Sequence, residues 1–237
     1  LASSVNNTGV VQAHSVENRN GTIVLLGHMD TGTVSVSGTL DVSGGANQTG
    51  GRVVATAHHV GLFNAHINAS GDVGGGVVLI GGDEQGRNPA VPNASAVYMG
   101  ADSAIHADAN RQGDGGRVVL WANESTRAYG QVSARGGAQG GDGGLVETSG
   151  HALDVNGLVV DTFAVNGRIG TWFDQPRLGI EDAVAHMHAQ DLANDQPIVA
   201  DLDDAAARQQ VTDDALSHHA GATQDGNNCF LSHFYPL

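Results

Sequence analysis

Several residue types are scarce in this chain, and each scarcity excludes a class of protein. Cysteine occurs once, at Cys229, so no disulfide can form within the chain. Lysine and arginine together number only 10 and are scattered, so we expect neither a nucleic-acid partner nor docking to an anionic bilayer. No apolar run approaches the roughly 20 residues of a membrane-spanning helix. No transmembrane segment is therefore predicted.

Glycine is abundant instead, at 35 of 237 residues. Short apolar patches rich in β-branched residues lie between the glycines, a pattern typical of many short strands and tight turns. The formal net charge of −15 predicts a soluble acidic surface. The chain begins at Leu1 without a signal peptide, so we expect a piece of a longer precursor whose export signal lies outside this sequence.

One repeated unit consists of a glycine, a variable residue and three or four apolar or small residues. Its copies are Gly21–Leu26, Gly51–Ala55, Gly75–Ile80, Gly116–Trp121 and Gly144–Thr148. A second unit alternates apolar and polar residues, which predicts a strand with one buried face. Its copies are Thr39–Gly44, His66–Gly71, Ala104–Asp108, Gln131–Gly136 and Ala152–Gly157. We expect Leu40, Val42 and the small residues Ala69, Ala107 and Ala134 to point inward.

The two units alternate along the chain, and like units recur at intervals that fit one coil of a solenoid. The predicted fold is all-β, a right-handed parallel β-helix over residues 1–172. Residues 173–237 form an acidic tail rich in Ala, Asp and His, for which a divergent coil, a cap and a disordered segment are the alternatives. Weak helical spacing occurs at 180–193 and 201–208. The glycine runs, such as Gly140–Gly144, are interpreted as corners that need a positive φ.

The longest insertion, Gly81–Ala96, contains Pro89 and Pro92, and proline removes a donor from a strand ladder. We therefore predict a loop that projects from the solenoid and acts as an exposed binding loop. The candidate binding residues are Asp83, Glu84, Gln85, Arg87, Asn88 and Asn93.

Several motifs between residues 9 and 172 resemble the filamentous haemagglutinin-like large exoproteins. They are Val11–Gly21, Val34–Gly44, Ile80–Gly86, Gly115–Ala122, Ser133–Ala138 and Gly141–Gly150. The resemblance implies an adhesin on the bacterial cell surface, secreted by the two-partner route through an outer-membrane transporter. A host-cell or other cell-surface protein or glycan would be its ligand. We expect the chain to depart from the family by lacking the N-terminal secretion domain, and its sequence runs into the acidic tail where the family commonly continues with strand repeats.

Two further functions stay open beside adhesion. A haem-binding exoprotein for haem acquisition is the first, because the chain has 12 histidines, with pairs at His58–His59, His186–His188 and His218–His219. A polysaccharide-degrading β-helix is the second, with carboxylates at Asp41, Asp108, Glu147 and Asp154. On the expected strands these groups do not converge, so no catalytic residue, metal ligand or cofactor is predicted. Trp121 and Tyr129 are expected to pack at the core or a corner.

Overall fold

The computed structural model describes residues 4–12, 21–176, 224–225 and 228–229. The chain divides into two compact units, Leu1–Arg177 and Leu178–Leu237. The strands are β1 (Ser4–Asn7), β2 (Val10–Gln12), β3 (Thr22–Leu26), β4 (Thr33–Val36), β5 (Thr39–Asp41), β6 (Arg52–Thr56), β7 (His59–Leu62), β8 (His66–Asn68), β9 (Val77–Ile80), β10 (Ala94–Met99), β11 (Ala104–His106), β12 (Arg117–Ala128), β13 (Gln131–Ser133), β14 (Leu145–Gly150), β15 (Ala152–Asp154), β16 (Val159–Asp161), β17 (Thr171–Pro176), β18 (Gln224–Asp225) and β19 (Asn228–Cys229). A short 3-10 turn lies at Glu84–Gly86.

The first unit is a parallel β-helix of about six turns with three sheets. Sheet I contains β3, β6, β9, the first part of β12, β14 and β17. Sheet II contains β1, β4, β7, β10, the second part of β12 and β15. Sheet III contains β2, β5, β8, β11, β13 and β16. Strands β3 to β5 form coil 1, β6 to β8 coil 2, β9 to β11 coil 3, β12 and β13 coil 4, and β14 to β16 coil 5. In the second unit, β18 pairs antiparallel with β19.

The interior of the first unit is narrow and apolar. Leu40, Val42 and the three alanines Ala69, Ala107 and Ala134 all point inward and are at most 1% exposed, as the sequence predicts. Valine, isoleucine and leucine from the three sheets fill the rest of one continuous core. Stacking like positions of successive coils buries an apolar face that no single coil could bury alone.

A ladder of glycines precedes the strands of sheet I. The members of this ladder are Gly51, Gly76, Gly116, Gly144 and Gly170. A Cβ atom at any of them would collide with the carbonyl of the corresponding glycine in the preceding coil. The repeat needs glycine here because two backbones come together, and not because of a special φ. A positive φ is found at Gly140 and Gly141 in the predicted glycine runs.

The prediction of an all-β parallel β-helix is confirmed. Sheet II was not predicted as a separate sheet, because the two repeated units do not include most of its strands. The position of one copy of the alternating unit was wrong. Ala152–Asp154 pairs with β12 in sheet II, and Val159–Asp161 is the strand of that coil in sheet III. The last described strand of the solenoid ends at Pro176. The helical spacing at 180–193 and 201–208 lies outside the described residues.

Candidate functional site

The loop between β9 and β10, here called the cover loop (residues 81–93), lies on the outer face of sheet I. Its Val91 is 5% exposed and belongs to a small apolar cluster. The other buried members point outward from three successive strands: Val54, Leu79, Val119 and Trp121. The predicted projecting loop therefore folds back, because sheet I has apolar residues on both faces and the outer face needs covering.

Two outward residues in the same row of sheet I show the effect of the cover loop on exposure. Val24 pairs with Val54 and stands one coil earlier in the same row. Val24 is 50% exposed, whereas Val54 is 7% exposed. Leu26 in the same early strand is 41% exposed. The cover loop thus protects the outer face from coil 2 onward and leaves coil 1 open.

Two hydrogen bonds attach the cover loop to coils that are far apart. Thr56 in coil 2 donates its hydroxyl to the Pro92 carbonyl at 2.6 Å. The Gln85 backbone N–H donates to the Glu147 carboxylate in coil 5, at 3.1 and 3.2 Å from its two oxygens. The loop therefore ties coil 2 to coil 5 across the strands between them. A contact of this kind couples coils that otherwise touch only their neighbours.

Arg117 of coil 4 holds the acidic start of the loop. Its guanidinium lies 3.2 Å from Asp83 and 3.2 Å from Glu84, and Asn88 donates its side-chain amide to Asp83 at 2.7 Å. Burial opposes ionisation of Asp83, but the hydrogen bonds from Asn88 and from the Glu84 N–H, with the charge of Arg117, hold its pKa below the usual value. Asp83 is therefore a buried, ionised anchor.

Glu147 lies beneath the loop on the outer face of sheet I and is 2% exposed. Burial raises the pKa of Glu147, and the nearby charges of Glu84 and Asp83 act in the same direction. The Gln85 N–H opposes the rise by favouring the ionised form. A carboxyl that is costly to ionise thus lies where the loop meets coil 5.

The six candidate binding residues come from one loop but do not share one environment. Asp83 is buried, Glu84 and Arg87 are exposed, and Gln85, Asn88 and Asn93 are half-buried. The Asn93 side-chain amide donates to the Gly86 carbonyl at 2.9 Å, which closes the loop on itself. Ligand binding by these residues stays a prediction. The structure shows that Asp83, Gln85, Asn88 and Asn93 hold the loop in place.

Aromatic side chains form a short ladder on the outside of sheet II. The Phe63 and Tyr98 rings are stacked with centroids 5.3 Å apart, and Tyr98 meets Tyr129 edge-on at 5.9 Å. The Tyr129 hydroxyl donates to Asp154 at 2.8 Å in the next coil. Corner packing of Tyr129 is confirmed, as is burial of Trp121, which is 4% exposed.

Ion pairs join the turns between sheets III and I. Asp72 accepts hydrogen bonds from Arg111, the closest at 2.9 Å, and from the Asn47 N–H at 2.7 Å. Arg111 and Asn47 together lower the pKa of Asp72. Asp142 and Arg168 repeat the arrangement two coils later, at 2.6 Å. These carboxylates satisfy backbone donors at corners where the strand ladder is interrupted.

A serine, a histidine and an aspartate meet on the outside of sheet III. The Ser133 hydroxyl donates to the Asp108 carboxylate at 2.9 Å. His106 Nδ1 lies 2.8 Å from the Ser133 hydroxyl oxygen. Because the hydroxyl proton goes to the carboxylate, the imidazole donates to serine and does not accept its proton. A nucleophilic serine needs the histidine between the other two groups. The trio therefore links coils 3 and 4 without activating a nucleophile.

The other groups weighed for chemistry are spread over the molecule. Asp41 lies in sheet III, and Asp108 lies two residues after the sheet III strand β11. Glu147 lies in sheet I and Asp154 in sheet II. The His58 and His59 rings, expected to diverge, lie 4.3 Å apart. The strand β7 begins only at His59, so the alternation of faces does not apply to the pair.

The part of the chain that the structure describes contains neither a three-ligand metal-binding cluster nor a membrane-spanning helix. Within it, no three His, Cys, Asp or Glu side chains are grouped to hold a metal ion. No helix in that part is both long and apolar enough to cross a membrane. The pairs His186–His188 and His218–His219 lie outside the described residues.

The chain matches no family model and no curated protein. Among solved structures, it is similar to the HMW1 secretion domain from Haemophilus influenzae, with 28% sequence identity and a TM-score of 0.59. The resemblance to filamentous haemagglutinin-like exoproteins is confirmed. The match covers 72% of this chain and 44% of the solved domain, so the chain spans less than half the length of that domain. The matched protein is itself a secretion domain, whereas the sequence analysis expects this chain to lack one.

Proposed function

We propose that this chain is the β-helical part of a secreted cell-surface adhesin, exported by the two-partner route through an outer-membrane transporter. The main support is one observation: a parallel β-helix 28% identical to the HMW1 secretion domain over 72% of the chain. Within the described residues, no three His, Cys, Asp or Glu side chains are grouped to hold a metal ion, so no such metal site there supports the alternatives of a polysaccharide-degrading enzyme or a haem carrier. The molecule acts mechanically, as a rod that displays its outer surfaces.

The physical properties of the chain suit this role. A single cysteine allows no internal disulfide, so an extended chain can cross a transporter without reduction. The parallel coils add one at a time, each on the last, so folding can follow the chain as it emerges. The cover loop then closes over coils 2 to 5 and ties the new coils together. Rod stiffness and export thus follow from the same coil-by-coil architecture.

Export is tested on intact cells that produce the full-length protein from its own gene. Proteinase K added to whole cells is expected to digest the chain, or the chain is expected in the medium. Deleting the outer-membrane transporter should leave it protected in the periplasm. A chain protected in both strains would contradict the proposal.

Adhesion is tested separately with beads that carry purified residues 1–237. The beads are expected to bind at least one member of a panel of epithelial and bacterial cells more strongly than beads carrying serum albumin. Equal retention of both kinds of bead on every cell type would exclude an adhesive surface on this part of the protein.

A further inference from the structure

Two adjacent histidines come together at the corner between sheets I and II in coil 2. The rings of His58 and His59, here called the histidine corner, have centroids 4.3 Å apart and planes tilted by 47°. Strand β6 ends at Thr56 and β7 begins at His59, so His58 belongs to the bend between the two strands. This bend lets both side chains lie on the same side of the chain, which the alternation within a strand would prevent.

A backbone carbonyl decides which ring nitrogen of His58 is free. His58 Nδ1 lies 3.2 Å from the carbonyl oxygen of Met29 in coil 1. A carbonyl can only accept a hydrogen bond, so Nδ1 of the neutral ring carries the proton and Nε2 keeps its lone pair. Histidines that bind metal ions typically donate their other ring N–H to such an acceptor. His58 is therefore held in the tautomer of a metal ligand.

His28, one coil earlier, has the opposite arrangement. The Asp30 backbone N–H donates to His28 Nδ1 at 3.2 Å, so Nε2 of the neutral ring carries the proton. A metal ion could bind either nitrogen of His28 only after this hydrogen bond is lost. The His28 side chain is 45% exposed, so it is open to the same solution. His28 is thus a histidine of the same region that is not prepared for a metal ion.

The separation of the two rings fits one metal ion between them. With metal–nitrogen distances of about 2.1 Å and an angle of about 90° between the ligands, the centroids of two bound imidazoles lie about 4.5 Å apart. A tetrahedral angle, as zinc prefers, would place the centroids about 5.2 Å apart. The observed 4.3 Å is closer to the first value. Square-planar and tetragonal sites favour Cu²⁺ and Ni²⁺, and Cu²⁺ binds most tightly in the divalent series.

We propose that the histidine corner binds a divalent transition-metal ion, Cu²⁺ in preference to Zn²⁺, through His58 Nε2 and a ring nitrogen of His59. His58 is half-buried and His59 is exposed, so water can complete the coordination sphere. The His58 carbonyl accepts hydrogen bonds from the N–H groups of Ser95 and Ala96 in coil 3, at 2.9 and 3.2 Å. The bound ion therefore stiffens a corner that joins coils 1, 2 and 3. The proposal does not depend on adhesion.

The test is a Cu²⁺ titration of the ¹⁵N-labelled 237-residue chain, purified without a polyhistidine tag and followed by NMR. Because Cu²⁺ is paramagnetic, it should broaden the amide signals of Ala57 and Val60, whereas the Val132 amide in coil 4 should stay sharp. The double variant His58→Gln/His59→Gln should need roughly tenfold more Cu²⁺ or above for the same broadening, since the second imidazole acts as an intramolecular ligand. Either single variant should show a similar loss.

His28→Gln is the matched control and should broaden at the same Cu²⁺ concentration as the unchanged chain. The unchanged Val132 signal shows that each variant is folded. Histidines elsewhere in the chain also bind copper, so only the amides beside the histidine corner are compared between variants. Equal broadening of the Val60 amide in the double variant and the unchanged chain, or equal losses for His28→Gln and His58→Gln, would overturn the proposal. Displacement of Cu²⁺ by an equal concentration of Zn²⁺ would overturn the stated metal preference.

Discussion

Replacing Val91 with alanine tests whether the cover loop stabilises the solenoid. Val91 is 5% exposed and packs against Val54, Leu79, Val119 and Trp121. The substitution removes the equivalent of two buried CH₂ groups, or about 1.6 kcal/mol of transfer free energy at about 0.8 kcal/mol each. The cavity that remains brings the expected loss of unfolding free energy to about 2 kcal/mol.

Urea unfolding followed by circular dichroism measures this loss. With an m-value of about 2 kcal/mol/M, the midpoint should fall by about 1 M. Because solenoids need not unfold in one step, hydrogen exchange is measured as well. Exchange of the Gln85 amide, which donates to Glu147, should accelerate more than that of core amides such as Val132.

Val165→Ala is the control, since Val165 is 62% exposed and the same change of side chain should alter stability by less than about 0.5 kcal/mol. A midpoint for Val91→Ala within error of this control would refute the claim that the loop is packed on sheet I. A lower midpoint with unchanged exchange at Gln85 would locate the loss elsewhere.

Three further predictions concern the loop and the turns. Glu147→Gln should keep an acceptor for the Gln85 N–H and remove a buried charge. Since the folded-state pKa of Glu147 is raised, its contribution is complete in acid and lost as pH rises through that pKa, so the variant should flatten this decline in melting temperature between acid and neutral pH. Gly86→Ala should destabilise strongly, because Gly86 has φ +63 and a Cβ there would lie 2.5 Å from the Trp121 ring. Asp72→Asn should remove a stabilisation that is present at neutral pH and lost in acid, because the folded-state pKa of Asp72 is lowered.

Each of these predictions has its own comparison. Gly157→Ala controls for Gly86→Ala, because Gly157 has φ +86 with nothing near the added methyl group, so it measures backbone strain alone. Equal losses at both glycines would mean that Trp121 does not confine the loop. Glu147→Gln and Asp72→Asn control for each other, since their pH effects have opposite signs. Parallel pH profiles of the two variants, measured by thermal melts from pH 3 to 8, would disprove the assigned pKa directions.

The strands of sheets I and III were predictable because each has a strong local pattern. Sheet I strands follow a glycine that close backbones require, as at Gly116, and sheet III strands alternate apolar and polar residues. Sheet II was missed because strands such as His59–Leu62 start without a glycine before them and follow the previous strand closely. Ala152–Asp154 fits the alternating pattern equally well in either sheet. Only its pairing with β12 assigns this strand to sheet II, and that pairing depends on the number of residues in the corner before the strand.

The position of the cover loop on sheet I was not predicted, because the composition of the loop indicated an exposed segment. Its polar residues and prolines predict an exposed loop, but the strands beneath it are apolar at consecutive positions, as in Val77–Ile80. A strand with apolar residues on both faces needs a cover on each face, and the insertion directly after β9 supplies it. The outward residues Val54, Leu79 and Val119 of sheet I are thereby buried, whereas Val24 in coil 1 stays 50% exposed. The loop whose polar composition predicts binding therefore also holds the coils together, through Thr56 in coil 2 and Glu147 in coil 5.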